Sequence, residues 1–182
     1  MKILVSGFET FNRHEENSSQ IIAQEINLPN VISVVLPVEY ENAFLKLKEK
    51  VNEVKPDYIV CLGLAGKRDH IELEKVAINL NHATIPDNAG TLKTHSMIQP
   101  NGDVAHFSTL PLEEWLKQET PFPVTLSLSA GSYVCNDLFY RLMDELKDKK
   151  IKAGFLHLPH LNNNKLNILE TIRQLLLFLN NV

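Results

Sequence analysis

Short apolar runs alternate with amphipathic stretches along most of the chain. Apolar runs bounded by glycine, proline or polar residues are typical of buried strands, whereas apolar residues that recur every three or four positions predict helices. The predicted strands are residues 2–5, 31–36, 58–62, 74–80, 124–129 and 153–158. The predicted helices are residues 18–26, 39–54, a helix from near residue 135 to residue 146, and 165–180.

The order of these elements predicts an α/β fold. Strand, helix, strand, helix and strand follow one another in the first third of the chain, which is the alternation that builds a sheet covered by helices on both faces. Turn-forming residues dominate 87–102, so we expect a long surface excursion there. No linker divides the chain, and its 182 residues suit one sizeable core. We therefore predict a single domain, residues 1–182, built as a three-layer α/β/α sandwich around a mostly parallel, mixed central sheet.

Charge and hydropathy narrow the class of function. The 18 basic and 22 acidic residues are interspersed and leave no basic stripe for a nucleic acid. The apolar run at the N-terminus is too short for a signal peptide. The longest later run, residues 175–179, is far below the roughly 20 residues of a membrane-spanning helix. We expect a soluble cytoplasmic protein that acts on a small molecule or a peptide, with no nucleic-acid or membrane partner.

The two cysteines, Cys61 and Cys135, need separate interpretations. Cytosolic thiols stay reduced, so we expect no disulfide between them. Cys61 lies inside an apolar run, where burial would raise the pKa of its thiol and leave it inert. Cys135 follows a strand-to-turn passage and precedes an amphipathic helix, where backbone N–H groups and the helix dipole would favour a thiolate. That position also suits an inert buried cysteine, and both interpretations of Cys135 stay open on local pattern alone.

His157 ends the last predicted strand, one strand-and-helix unit after Cys135. A cysteine nucleophile needs a base that takes its proton and returns it to the leaving amine, and histidine titrates in the right range. A histidine in an apolar strand is also a common core residue. Glu74 enters an apolar strand, where an unpaired carboxylate would be costly, so it is a candidate to orient the histidine. The alternative for Glu74 is a surface salt bridge with Lys75 or Arg68.

Two aromatic residues, Phe8 and Phe11, follow the first predicted strand. Rings three residues apart commonly pack into a core. They can instead form the walls of a flat apolar pocket for a small ring, with a polar group supplied by Asn17. The local pattern is compatible with both interpretations.

Six segments, taken in order, carry a resemblance to a known family. They are 7–11 (GFETF) with Asn17, 63–79 (GLAG through EKVAIN), 85–88 (IPDN), 107–111 (FSTLP), 129–136 (SAGSYVCN) and 154–159 (GFLHLP). Together they make the chain similar to the pyroglutamyl peptidase I family, also called pyrrolidone-carboxylate peptidases. The resemblance extends from near residue 1 to the last predicted helix, and it rests on the ordered set, because no single segment is specific.

The resemblance implies a cysteine peptidase that hydrolyses the amide bond after an N-terminal pyroglutamyl residue through a thioacyl-enzyme intermediate. The family's Cys–His–Glu triad falls on Cys135 as nucleophile, His157 as general base and then acid, and Glu74 as the orienting carboxylate. The resemblance also implies an enzyme with no cofactor and no metal that acts on pyroglutamyl peptides in the cytoplasm. It further implies a homo-oligomer, either a tetramer or a dimer.

The aromatic walls of the family's substrate pocket map to Phe8, Phe11 and Tyr133, with Asn17 nearby. Pyroglutamate is a compact lactam that carries no charge at its N-terminus. A pocket that encloses this ring and hydrogen-bonds its amide would reject ordinary N-termini, because their ammonium group would be buried without a partner.

Several positions depart from the family pattern. Leu64 stands where the family usually has Gln, and Glu72 where it usually has Ser or Thr. Thr84 replaces the Arg of bacterial members, and Asn-Arg at 12–13 replaces the usual Gly-Gly. The segment between the last strand and the last helix is also short. These departures leave two alternative functions open: a catalytically weakened member that binds a pyroglutamyl or related lactam ligand, or an enzyme for another small amide.

Overall fold

The computed structural model describes residues 1–11 and 16–181, so the Asn-Arg pair at 12–13 lies outside the described residues. The elements in chain order are β1 (Ile3–Phe8), α1 (Ser18–Glu25), β2 (Val31–Leu36), α2 (Asn42–Val54), β3 (Tyr58–Leu64), β4 (Ile71–Glu74), β5 (Val76–Ile78), β6 (Ala105–Phe107), α3 (Leu112–Trp115), β7 (Val124–Ser127), α4 (Val134–Leu146), β8 (Lys152–Leu158) and α5 (Lys165–Phe178). Short 3₁₀ turns flank α5 at Asn162–Asn164 and Leu179–Asn181. Within these ranges, no helix combines the length and apolar character needed to cross a membrane.

Six of the strands form one mixed sheet in the order β2-β1-β3-β8-β4-β7. Every neighbouring pair is parallel except β4 with β8, which is antiparallel. The remaining two strands, β5 and β6, form a separate antiparallel ribbon. The predicted mostly parallel, mixed sheet is confirmed.

Helices cover both faces of this sheet because successive side chains of each strand point to opposite faces. Ile3 and Val5 of β1 pack in one apolar cluster with α1 and α5, whereas Leu4 packs in the other with α2 and α4. Fully buried side chains such as Leu47 each contribute roughly 1.5–3 kcal/mol through the hydrophobic effect. The three-layer α/β/α prediction is therefore confirmed, and the two apolar layers fix the sheet between them.

The prediction of one strand over residues 74–80 is wrong. The chain forms β4, leaves the main sheet at Lys75, and continues as β5 against β6. Neither β6 nor the short α3 was predicted. The apolar–charged alternation of residues 71–74 is typical of a strand with one face in water, yet Glu72 and Glu74 are both buried. The usual pattern of hydrophobic burial fails here because these two carboxylates find partners inside the protein.

Three parallel strands, β1, β3 and β8, end at the same edge of the sheet and position the chemistry. Because Gly63 has no side chain, the ring of Phe155 and the thiol of Cys135 can approach the backbone of β3. A Cβ at Gly63 would lie 2.7 Å from the ring of Phe155 and 3.0 Å from Sγ of Cys135. Because β4 runs the opposite way, its last residue, Glu74, stands opposite Phe155 rather than at the end of β8. The pairing of β4 with β8 thus brings Glu74 close to His157, which lies two residues after Phe155 in β8.

Candidate active site

Cys135 is the second residue of α4 and is partly exposed. The residue before the helix, Tyr133, has an extended backbone and makes no capping hydrogen bond with its side chain. The first intrahelical bond runs from the N–H of Asp137 to the carbonyl of Tyr133, at 3.1 Å. The N–H groups of the first turn, including that of Cys135, therefore have no acceptor within the helix. The thiol of Cys135 therefore lies at the positive end of the helix dipole.

The loop before Cys135 is held against residues 82–86. Gly131 has a φ of +75°, a conformation that glycine adopts without strain. The hydroxyl of Ser132 donates to the carbonyl of His82 at 2.7 Å, and the phenol of Tyr133 donates to the carbonyl of Pro86 at 2.9 Å. Thr84 lies between these two anchors and is exposed. Thr84, one of the departures from the family pattern, is therefore adjacent to the loop before Cys135.

Asn136, directly after the cysteine, anchors the start of α4 to β5. Its side chain is fully buried, accepts from the N–H of Ile78 at 3.0 Å, and donates to the carbonyls of Ile78 and Leu80 at 2.9 and 3.0 Å. The sequence interpretation assigned Asn136 no role. Its amide beside Val134 and Cys135, at the start of an amphipathic helix, was the available signal, because a buried amide needs hydrogen-bond partners.

Glu74 and His157 form a buried pair. Oε1 of Glu74 lies 2.7 Å from Nδ1 of His157, and the two residues are 0% and 7% exposed. The alternative of a surface salt bridge for Glu74 is wrong: Arg68 contacts Glu72 at 3.2 Å, and Lys75 lies 3.8 Å from Glu113. A carboxylate on Nδ1 fixes the orientation of the ring and leaves Nε2 for a second partner.

That second partner is the thiol of Cys135. Burial disfavours the charged form of His157, but hydrogen bonds with Cys135 and Glu74, together with their negative charges, outweigh it and raise the pKa of His157 to about 10. The imidazolium form is thus stabilised between a sulfur on one side and a carboxylate on the other. A cysteine nucleophile needs such an arrangement, in which a base contacts the thiol and a third group orients the base.

Cys61 has a different environment. It is completely buried in β3, and burial raises the pKa of its thiol to about 12, against a smaller lowering by a hydrogen bond with Ser6. The interpretation of Cys61 as an inert core residue is confirmed.

A cavity of about 140 Å³ opens beside the thiol. It is lined by all four residues predicted to bind substrate, by two of the triad positions and by six neighbours: Phe8, Phe11, Asn17, Tyr133, Cys135, His157, Val38, Leu64, Ala130, Gly131, Ser132 and Val134. The structure thus brings together residues from the ends of three strands, the nucleophile loop and α4. Glu74 does not line the cavity and reaches it only through His157.

The rings of the cavity differ in how firmly the core holds them. Phe8 is 2% exposed and packs against Phe155 with ring centroids 6.5 Å apart, so it serves the core and the cavity at once. Phe11 lies 6.2 Å from Tyr133, and Tyr40 meets Tyr133 edge-on at 5.7 Å. Burial raises the pKa of Tyr133 to about 12, so its phenol stays neutral and keeps its bond to the loop. The walls are aromatic and carry no charge.

Asn17 has a structural task as well as a place in the cavity. It is the N-cap of α1, where its Oδ1 accepts from the N–H and the hydroxyl of Ser19 at 3.0 and 2.7 Å. Its Nδ2 donates to the carbonyl of Glu9 at 2.8 Å. An amide nitrogen has two hydrogens, and the second has no acceptor among residues 1–11 and 16–181, so it can serve a ligand. The spacing of Asn17 and Ser19 before an apolar run was the sequence signal for this cap.

The sequence and the fold of this chain are both similar to those of known peptidases. The pyroglutamyl peptidase family model matches residues 1–172. A pyrrolidone-carboxylate peptidase of Bacillus cereus is 38% identical over 168 residues, covering 87% of this chain and 78% of that protein. Another, of Thermosipho melanesiensis, is 37% identical over 174 residues, covering 91% and 86%. The crystal structure of pyrrolidone carboxyl peptidase from Pyrococcus furiosus superposes with a TM-score of 0.90 at 31% identity, over 98% and 97% of the two chains.

Proposed function

This chain belongs to the pyroglutamyl peptidase family, and from that premise we propose that it hydrolyses the amide bond after an N-terminal pyroglutamyl residue. In this proposal Cys135 is the nucleophile, His157 the general base and acid, and Glu74 the carboxylate that orients His157. The observation that carries the proposal is the buried 2.7 Å contact between Glu74 and His157, with the Cys135 thiol on the other side of the ring.

In the acylation step, the thiolate of Cys135 attacks the carbonyl carbon of the pyroglutamyl residue, and a C–S bond forms. The carbonyl oxygen takes up the negative charge, which the N–H groups at the start of α4, without acceptors inside the helix, can stabilise. His157 then gives the proton on Nε2 to the nitrogen of the leaving amine, and the C–N bond breaks. The products are a thioester on Cys135 and a peptide with a new N-terminus.

In the deacylation step, water replaces the departed peptide. Neutral His157 accepts a proton from this water on Nε2, the hydroxyl oxygen attacks the thioester, and the C–S bond breaks. Free pyroglutamate leaves and the thiolate–imidazolium pair is restored. Glu74 keeps its contact with Nδ1 throughout, so it holds one tautomer and stabilises the positive charge each time the ring becomes imidazolium.

Substrate selection in this proposal comes from the walls formed by Phe8, Phe11 and Tyr133. Their uncharged rings would enclose a lactam, whereas an ordinary N-terminal ammonium would lose its hydration without gaining a counter-ion. The remaining amide hydrogen of Asn17 can donate to the lactam carbonyl. Leu64 gives the wall an apolar surface where the family pattern has an amide, so this cavity offers one polar contact fewer.

The same departures motivate a second candidate function. With Leu64 in the wall and Thr84 beside the nucleophile loop, the chain would bind pyroglutamate or a related lactam with slow turnover, or would prefer another small amide. A panel of fluorogenic aminoacyl amides separates these possibilities. The proposed function expects the pyroglutamyl amide to be the best substrate, and a panel led by another amide would contradict it.

The decisive test is hydrolysis of a fluorogenic pyroglutamyl amide by the purified full chain. We expect turnover that Cys135→Ala abolishes, a loss of at least about 10⁴-fold. The matched control is Cys61→Ala, which removes the other thiol and should keep activity within about twofold. Absence of hydrolysis by folded protein, together with pyroglutamate binding in calorimetry, would favour the lactam-binding alternative.

The wider setting of the enzyme is also part of the proposal: one peptidase domain of residues 1–182, cytoplasmic, assembled as a homo-oligomer. Two reduced cysteines suit a reducing compartment. Exposed apolar side chains on the edge of the sheet and the ribbon, with Phe107 at 66% and Leu128 at 71%, offer a surface for self-association. Light scattering after size-exclusion chromatography would test the assembly, and a monomeric mass at micromolar concentration would contradict it.

A further inference from the structure

A second buried carboxylate, that of Glu72, lies beside the Glu74–His157 pair. Glu72 stands opposite His157 in the antiparallel pairing of β4 and β8. It lies two residues from Glu74 and so projects from the same face of the strand. Glu72 is only 5% exposed. One donor atom from each of Glu72, Glu74 and His157 lies within 4.8 Å of the other two.

Glu74 has one carboxylate oxygen that none of the described residues contacts by a hydrogen bond. Its side chain is completely buried, and although Oε1 contacts His157, Oε2 has no hydrogen-bond partner within residues 1–11 and 16–181. A buried carboxylate oxygen without a donor or a cation is costly, and such atoms are uncommon in native proteins. This oxygen is therefore an open position for a positively charged ligand.

The two carboxylates differ in the cations that they contact. Glu72 contacts Nε of Arg68 at 3.2 Å and Nε2 of His70 at 3.5 Å. Arg68 is about half exposed, so solvent weakens its compensation. Among residues 1–11 and 16–181, Glu74 has one such contact, with His157 at Oε1, and the ring of His157 also contacts Cys135. A cation bound at Oε2 would add compensation that the described side chains do not give to Glu74.

We propose that Glu72, Glu74 and His157 form a binding site for a divalent cation of the zinc type, and that an ion bound there inhibits the peptidase. One imidazole nitrogen and two carboxylates are a donor set that zinc accepts, with a fourth position left for water. Zinc–ligand bonds of about 2.0–2.2 Å require donor atoms roughly 3.3 Å apart. The three donor atoms now lie within 4.8 Å of one another, so binding would require them to close by at most roughly 1.5 Å. Glu72 would exchange its contacts with Arg68 and His70 for the ion.

Inhibition follows from the nitrogen that the ion would occupy. Coordination at Nδ1 displaces the proton shared with Glu74 to solvent. The ring then carries a single proton, on Nε2, and this proton is far less acidic than that of an imidazolium. His157 could no longer protonate the leaving amine. This consequence rests on the proposed function, whereas binding of the ion does not. The Ser or Thr usual in the family at position 72 would remove one carboxylate, so the site depends on Glu72.

Binding is tested by titrating zinc chloride into the full-length Cys135→Ala protein, which has no catalytic thiol to bind the metal. We expect Glu72→Gln in this background to weaken one binding step by at least tenfold. The matched control is His106→Ala, because Asp103, His106 and Asp144 form a separate group that could hold an ion. A binding step that survives Glu72→Gln and disappears with His106→Ala would overturn the proposal.

Inhibition is tested with Cys135 in place. Zinc should inhibit hydrolysis of the pyroglutamyl amide, and Glu72→Gln should raise the inhibitory concentration at least tenfold. An unchanged inhibitory concentration would assign zinc to the thiol and contradict the proposal. If thermal unfolding shows that the Glu72→Gln variant is not folded, Glu72→Ser can be used for the same test. Failure of the proposed function would appear as no hydrolysis without zinc, and the calorimetric titration would still decide whether the ion binds.

Discussion

Cys61 and Cys135 lie on the same face of the central sheet, and the protein gives the two thiols opposite chemistry. Cys61 is part of a strand, is surrounded by apolar side chains, and has a pKa raised to about 12 by burial. Cys135 lies in the first turn of a helix, is partly exposed, and faces the imidazole of His157, whose other nitrogen contacts the carboxylate of Glu74. The reactivity of a cysteine therefore depends on its access to N–H groups, a base and solvent.

The reactivity of the two thiols gives the largest expected contrast. At pH 8, a thiol with a pKa of about 12 is ionised in only about one molecule in 10⁴. We expect iodoacetamide to modify Cys135 at least about 10³-fold faster than Cys61 in the native protein. Mass spectrometry of digested protein would measure both rates. Comparable rates would remove the contrast, and denatured protein, in which the two should react alike, is the control.

Removing the charge of Glu74, which contacts the imidazole of His157, should reduce the difference in reactivity between Cys135 and Cys61. Glu74→Gln keeps the shape of the side chain but loses its charge, so we expect kcat to fall about 10²–10³-fold while KM changes less than about threefold. Alkylation of Cys135 should slow as well, because the imidazolium that supports its thiolate is less stable. A change in KM with an unchanged kcat would show that Glu74 serves only the pocket.

A substitution at the start of α4 should reduce kcat less than Glu74→Gln does, but more than a substitution on the surface. Asn136→Ala leaves a buried N–H and two carbonyls without partners, at a cost of about 2–4 kcal/mol in the free energy of unfolding. We expect roughly a tenfold loss of kcat, because the helix start and its thiol lose their anchor. Denaturant unfolding and kinetics below the transition measure the two effects. Asn42→Ala, on the exposed start of α2, is the matched control and should change neither.

The smallest effect is a pH dependence of stability that Cys61 introduces. Its pKa is raised in the folded state, so between about pH 9 and 12 the folded protein holds a proton that the unfolded chain releases. Stability from this group is complete below pH 9 and declines above it, by about 1.4 kcal/mol per pH unit. Denaturant unfolding at pH 9 and pH 10 should therefore show a larger loss for the natural chain than for Cys61→Ala. Equal losses would mean that the buried thiol ionises without cost.

Most of the fold could be predicted because the helices and strands carry strong periodicity. The strand 31–36 and the start of the helix near Cys135 were predicted at or within one residue of their observed limits. The middle of the chain could not be predicted, because β5 and β6 are three residues each and pair only with one another. The limits of β4 could not be predicted either. Its two glutamates alternate with apolar residues, which is typical of an exposed strand, but tertiary contacts bury both glutamates.

The amino-acid sequence alone was enough to predict the class of fold and the inert state of Cys61. It was also enough to identify the candidates Cys135, His157 and Glu74 and the ordered motifs that mark the family. These follow from local periodicity, from short motifs and from the chemistry of single side chains. The three-dimensional fold was needed to choose between the two interpretations of Glu74, because a contact between residues 83 positions apart depends on the reversed direction of β4 beside β8. It likewise brought Glu72 into the same buried group. Burial and distance in three dimensions, which no local pattern encodes, made that decision.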